Sequence, residues 1–206
     1  NNKTRNRKNN NSSKKLMNIL LATKNINKHR EISRILKDTG NFHQAIYKED
    51  LLDVVEDKNT ILENAQKKAH EIYDHYQVPV ISDDSGLFVN SLDGMPGLHS
   101  KRYAGENATD LQNIDKLLAN LIEEEDRSAY FQTVLYFYDG VTEISTDGIL
   151  EGLITKKPRG TNGFGYDSIF ENKGKTLAEL SSEEKNSISH RKIATNKMIG
   201  ILNEKI

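Results

Sequence analysis

The chain has 206 residues, 35% of them hydrophobic and 29% charged, enough for one sizeable domain with a buried core. No apolar run approaches the roughly 20 residues that a membrane-spanning helix needs, and the basic N-terminus leads into a strand-sized run and not into a secretory leader. The absence of cysteine excludes disulfides, thiolate metal sites and a cysteine nucleophile.

A net charge of −1 conceals an asymmetry. Residues 1–15, NNKTRNRKNNNSSKK, carry six basic side chains and no acid, which leaves the rest with 23 basic against 30 acidic residues. Such a stretch has too little apolar area to join a core, so it is expected to be a disordered extension outside the fold, with nucleic-acid contact as the alternative. An acidic body argues against a nucleic-acid-binding face. A cytoplasmic setting and no membrane association are expected.

Met17–Ala22 predicts a buried first strand, apolar without alternation. The polar loop Thr23–Lys28 follows, then an amphipathic helix with Ile32, Ile35 and Leu36 on one face. Thr60 and Glu63 form a capping-box signal for a second helix running to about Tyr76. Pro79 opens a strand expected to end at the acidic pair of VISDDSGLF, Asp83 and Asp84. Thr109 and Gln112 cap a third helix bearing Ile114, Leu117, Leu118 and Leu121. Ala129–Tyr138 and Val141–Ile149 predict a strand pair joined by an Asp139-Gly140 turn. Ser181 with Glu184 marks another capped turn, and Ile193–Leu202 a terminal helix. Alternating elements followed by clustered strands predict an α/β fold with a mixed sheet, a single domain over residues 16–206 with two lobes.

Four segments carry chemistry. The loop after the first strand, with Thr23, Asn25 and Lys28, lies where open α/β sheets bind ligands and fits either an anion cradle at a helix start or an ordinary polar turn. Asp83 and Asp84 repel one another at a strand end, and Glu56 is placed to fold back on them. Such carboxylates fit a hard divalent cation, most naturally Mg²⁺, or else a structural turn. The glycine-rich GTNGFGYDSIF presents Phe164 and Tyr166 on a sharply bending loop, suited to stacking a base or to plugging the core. Lys185, His190 and Arg191 gather donors within two turns, either on a solvated face or pointing into a cleft.

Five stretches, LATKNINKHREI, ENAQKKA, DDSGLFVNSLDGMPGLHSKRYAG, GTNGFGYDSIF and KTLAELSSEEKNSISHR, occur in the order and spacing of the inosine triphosphate pyrophosphatase family, which the chain resembles over nearly everything from Leu20 to Arg191. The resemblance implies a long twisted mixed sheet with α/β lobes flanking a deep cleft, usually in a homodimer. The activity it implies is hydrolysis of ITP, dITP or XTP to the monophosphate and pyrophosphate with Mg²⁺. By position, Asp84 matches the family's water-activating acid, and Glu56 with Asp84 the metal site, with Asp83 beside them as ligand or support. Thr23, Asn25, Lys28, Lys68 and Ser85 match phosphate- and sugar-side positions. Phe164, Gly165, Tyr166 and Asp167 match the base-stacking loop, and Lys185, His190 and Arg191 the surroundings of the purine.

The chain departs from the family where Lys24 and Asn27 replace frequent glycines, Ser168 a frequent proline, and Lys101 a frequent alanine. Neither Ser168 nor Lys101 touches an expected catalytic group, whereas Lys24 and Asn27 alter the loop that carries Thr23, Asn25 and Lys28. Two other readings remain beside this one, a related diphosphatase for another modified nucleotide and a nucleotide-binding module without catalysis.

Overall fold

The computed structural model describes residues 17–38 and 43–205; the basic stretch 1–15 lies outside them. β1 (Met17–Ala22) pairs in parallel with β2 (His43–Ile46) on one side and β3 (Val80–Val89) on the other. β3 pairs antiparallel with β5 (Ser128–Tyr138), and β5 with β6 (Glu143–Ile154). Short strands β7 (Phe170–Asn172) and β8 (Lys175–Thr176) extend that edge, and β4 (Pro96–Gly97) pairs with the far end of β3. The eight strands form one mixed sheet in the order β2–β1–β3–β5–β6–β7–β8 with β4 off that path. This is the expected α/β class.

Helices cover the sheet as their apolar spacing dictates. α1 (Ile26–Asp38) buries Ile32, Ile35 and Leu36, and α5 (His190–Lys205) buries Met198, Ile199 and Leu202 in the same cluster as Ile81, Leu135 and Phe137. α2 (Ile61–Tyr76) packs Ile61, Ala65, Ala69 and Ile72 against Val80, Val134 and Tyr136. α3 (Asp110–Asn120) and α4 (Ser182–Ile188) both open with full capping boxes, Thr109 with Gln112 and Ser181 with Glu184. At α2 only one arm of the box forms. Thr60 Oγ1 accepts from the Glu63 N–H at 3.1 Å and donates to the Glu63 carboxylate. Among the described residues no helix is long and apolar enough to cross a membrane.

Two expectations are corrected. β3 does not end at the acidic pair; it runs ten residues, and Asp83 and Asp84 lie inside it, opposite Leu135 and Val134 of β5. The β5–β6 connection is not a two-residue hairpin at Asp139-Gly140, because Tyr138 pairs with Glu143. Asp139 Oδ1 instead accepts from the Val141 and Thr142 N–H groups at 3.0 and 2.7 Å, closing a four-residue loop. β6 consequently starts later and reaches Ile154.

Strand alternation then decides where the polar groups fall. On the α1/α5 face, Ile81, Leu135 and Phe137 belong to one apolar cluster, while Leu87, Phe131, Leu150, Phe170 and Leu117 form a second. Between them the same face carries Asp83, Ser85 and Thr133. The break coincides with a gap in the sheet: β1 leaves β3 at Ala22↔Ser82, and β4 joins only at Leu87↔Gly97. Residues 83–86 therefore keep an open edge.

Gly148 of β6 sets how closely α5 approaches. A Cβ there would lie 2.0 Å from the His190 carbonyl oxygen and 2.7 Å from the Ala194 nitrogen, both backbone. Gly148→Ala is expected to destabilise the fold by about 1–3 kcal/mol through overpacking, read as a lower midpoint in urea unfolding.

Candidate active site

The open edge of β3 is the floor of a cleft of about 410 Å³. Asp84 and Asp83 point to opposite faces of the sheet and acquire different partners. Asp84 Oδ1 accepts from the Ser85 N–H at 2.8 Å and Oδ2 from Asn64 Nδ2 of α2 at 3.2 Å, and the residue stays 8% exposed on the cleft. Asp83 is buried, 2.7 Å from the Lys28 ammonium of α1. Lys68 of α2 spans the floor, donating to the Asp83 carbonyl at 2.9 Å and to Glu56 Oε1.

These surroundings drive the two acids apart. Burial alone would raise Asp83, but Lys28, Lys68 and Arg191 together hold it down at about 2. Burial raises Asp84 to about 6, reinforced by the nearby Glu56 charge and only partly offset by Lys68 and Lys28. Glu56, although burial opposes its charge, is held below its usual range by Lys68 and then Lys28. Asp84 is thus the carboxyl poised to exchange a proton near neutral pH.

One wall comes from the β1–α1 loop. Asn25 Oδ1 caps α1 by accepting from the Asn27 and Lys28 N–H groups at 3.0 and 3.2 Å, and Thr23 Oγ1 accepts from the Asn25 N–H. The Asn25 side chain thus satisfies two of the helix-start donors expected to form an anion cradle. What this loop offers an anion is chiefly Lys28, with Thr23 and Asn25 beside it on the cleft.

At the other end lies an aromatic and cationic pocket. The Phe164 ring has Lys185 Nζ 4.6 Å and Arg191 Cζ 5.4 Å from its centroid. Lys185 Nζ is bound by Asp167 Oδ2 at 2.6 Å and by Glu31 Oε1 at 2.8 Å, while Glu31 Oε2 accepts from Arg191 Nη1 at 2.8 Å. The His190 ring stacks on Phe131 at 4.8 Å. Complete burial, with Arg191 and Lys185 nearby, pushes its pKa well down, so the imidazole is neutral. Both His190 ring nitrogens and Arg191 Nε are buried without a hydrogen-bond partner, yet both residues line the cleft. Buried polar atoms without partners are uncommon and call for a water, an ion or a ligand to complete them.

Thirteen of the fifteen residues singled out from the sequence line this one cleft: Thr23, Asn25, Lys28, Glu56, Lys68, Asp84, Ser85, Phe164, Gly165, Tyr166, Asp167, His190 and Arg191. Lys185 stands behind it, buried beneath Phe164. Tyr166 is packed in the distal core with its hydroxyl donating to the Ser100 carbonyl at 2.8 Å, so its ring is wall and not an open stacking face. Asp83 is the counter-ion of Lys28 and does not line the cleft. Sequence reasoning missed Glu31 and Asn64. Both were within reach of a helical-face argument, since Glu31 lies three residues after Lys28 and Asn64 four before Lys68. Among the described residues no three His, Cys, Asp or Glu side chains cluster as a ready-made metal cage.

The raised Asp84 has a measurable cost. Between 3.8 and about 6 the folded chain holds a proton that the unfolded chain has released, so stability falls as pH rises through that window. Asp84→Asn abolishes this loss. With a chelator present, the variant's stability relative to the parent is expected to rise by about 3 kcal/mol between about pH 3.5 and 8, at roughly 1.36 kcal/mol per pH unit. Urea unfolding across that range measures it, and a constant difference would refute the assignment.

A sequence model of the Ham1 family matches residues 19–201. The chain is 42% identical over 197 residues to a dITP/XTP pyrophosphatase of Aquifex aeolicus, covering 90% of this chain and 96% of that protein. It is 44% identical over 192 residues to a dITP/XTP pyrophosphatase of Bacillus licheniformis, covering 90% and 98%. A HAM1 protein from Coxiella burnetii has a similar structure, with a TM-score of 0.83 at 38% identity over 91% of this chain and 99% of that one. The Staphylococcus aureus Ham1 protein gives 0.82 at 37% identity over 92% and 100%. With the match spanning most of its length and the same fold beneath it, this chain belongs to the Ham1 family.

Proposed function

We propose that the chain hydrolyses purine nucleoside triphosphates outside the standard set, namely dITP, ITP and XTP, to the monophosphate and pyrophosphate. The observation that carries this reading is the division of the cleft. Lysines and a proton-exchanging carboxyl stand at one end, and an aromatic ring with unpartnered imidazole and guanidinium nitrogens at the other. Relatives named dITP/XTP pyrophosphatase support it.

A triphosphate brings roughly four negative charges, which bare carboxylates would repel. Glu56 and Asp84 are the residues to hold a magnesium ion. They are hard oxygen donors on the cleft, close enough that the charge of one raises the pKa of the other, and two carboxylates completed by phosphate oxygens and water suit Mg²⁺. Bound there, the ion supplies charge neutralisation and polarisation of the phosphates. Asp84 orients a water and accepts its proton as it attacks the α-phosphorus. Lys28 and Lys68 stabilise the charge that develops on the departing pyrophosphate, and Thr23, Asn25 and Ser85 bind phosphate and sugar oxygens. No covalent nucleophile is required.

At the base end, Phe164 offers a ring to the purine, and Arg191 supplies donors for a 6-oxo group; the Ser189 N–H is already given to the Lys185 carbonyl at 3.0 Å. Adenine presents an amino group there, leaving buried donors unpaired at ~1–3 kcal/mol each. Asp167 and Glu31 fix the cations that do this reading. The same reading includes a homodimer, supported by apolar side chains exposed on β6 at Ile149 and Leu153, and a cytoplasmic setting, with which a chain free of cysteine is compatible.

Pyrophosphate release with Mg²⁺ from dITP, ITP, XTP, ATP and GTP tests the reading. The first three are expected far ahead, and Asp84→Asn is expected to lower kcat by about 10²–10⁴-fold. Arg191→Ala should raise KM for dITP more than it changes residual ATP turnover. Equal rates on ATP and dITP, or an active Asp84→Asn, would overturn it.

A further inference from the structure

Asp110, the first residue of α3, has no part in the chemistry described so far. Its Oδ2 accepts from the Gly165 N–H at 2.6 Å, a bond spanning 55 residues and joining α3 to the loop that carries Phe164. Gly165 needs such a hold. Its φ is +59°, and a Cβ built there would meet nothing within 4 Å; the carbonyl of the Phe164–Gly165 peptide accepts from the Asp167 N–H at 3.2 Å, and its N–H is held by Asp110. The flanking residues are tied from other directions, Phe164 N–H to Asp167 Oδ2 at 2.9 Å and Tyr166 Oη to the Ser100 carbonyl at 2.8 Å.

α3 is a rigid support for this contact. Its first turn is closed by the Thr109–Gln112 capping box, and a carboxylate at a helix start is favoured by the backbone dipoles. One turn on, Asn113 binds the Lys101 carbonyl at 3.0 Å and the Ala104 N–H at 2.8 Å. The same helix therefore fixes the 100–104 wall and the tip of the aromatic loop.

We propose that Asp110 is a positioning residue for purine recognition. Through the Gly165 N–H it holds the Phe164–Gly165 peptide in the conformation that keeps the Phe164 ring against Lys185 and Arg191. This rests on the reading that a purine occupies that end of the cleft. Asp110 acts on the base end alone, since the phosphate-side lysines are anchored by Asp83 and Glu56.

Steady-state kinetics on dITP, with inorganic tripolyphosphate as a base-free competitor, test it. Asp110→Ala is expected to raise KM for dITP about 3–10-fold, as loss of a charge-assisted hydrogen bond at an exposed site would, with kcat within about 2-fold and tripolyphosphate inhibition unchanged. Asp110→Asn, which keeps an acceptor oxygen, should recover most of the KM. An unchanged KM in Asp110→Ala, an equal weakening of tripolyphosphate, or failure of Asp110→Asn to rescue would each overturn the proposal. Parent protein inactive on dITP would instead remove the functional reading beneath it.

Discussion

β1 stops at Ala22, and with it the pairing of β3 along that edge stops at Ser82. The next four residues of β3 are hydrogen-bonded to β5 on one side only, so ligand space begins where another strand would otherwise lie. Alternation sends Asp83 towards α1 and Asp84 towards α2. Each helix answers with a lysine, Lys28 at Asp83 and Lys68 between the Asp83 carbonyl and Glu56. Removing that many charges from water is unfavourable, and apolar replacements in such positions are often neutral or stabilising. The belt interrupts the apolar face of the sheet between two hydrophobic clusters. Under the proposed function this belt serves the chemistry of the cleft, since apolar packing would serve stability as well or better.

Two adjacent aspartates consequently do different work. Asp83 is surrounded by cations and remains ionised at any pH above about 2, which makes it a fixed counter-charge. Asp84, buried on the cleft and raised further by the Glu56 charge, binds a proton up to about pH 6. The separation comes from which face of one strand each residue occupies. Pairs of carboxyl groups whose environments push their pKa values apart are how a fold assigns acid and base roles. A single-residue register slip of β3 would exchange the two environments. The ten paired positions with β5 hold that register.

Much of this was legible in the sequence wherever the signal is local. Thr109 with Gln112 and Ser181 with Glu184 gave the starts of α3 and α4 because a cap is satisfied within four residues. The first strand was legible because its run 19–22, buried on both faces, is apolar without alternation. The course of β3 was not, since adjacent carboxylates read as a strand end when the lysines that neutralise them are distant in sequence: Lys28 lies 55 residues before Asp83. The β5–β6 loop misled for a similar reason, as Asp139-Gly140 resembles a tight turn while the Asp139 side chain closes a wider one. Glu31 escaped because a lone acid on an amphipathic helix looks like solvent-facing charge until α4 and α5 are folded over it.

The base end is assembled from parts that share no local sequence, namely Glu31 on α1, Asp167 on the aromatic loop, Lys185 on α4 and Arg191 on α5. In this network Lys185 is held by two carboxylates and Arg191 by one. Arg191 Nε and the His190 nitrogens are what the network leaves bare. A neutral imidazole has one donor and one acceptor nitrogen, so under the proposed function it is the Arg191 Nε–H that calls for an acceptor on the ligand, and a donor placed there would leave it unmatched. Because the His190 carbonyl rests on Gly148 of β6, in the sheet that also carries Asp84, the base-reading atoms and the proton-exchanging acid are referenced to one rigid frame. Under the proposed function, with a nucleotide spanning both ends of the cleft, a shift of α5 would disturb recognition and the chemistry at the α-phosphorus together.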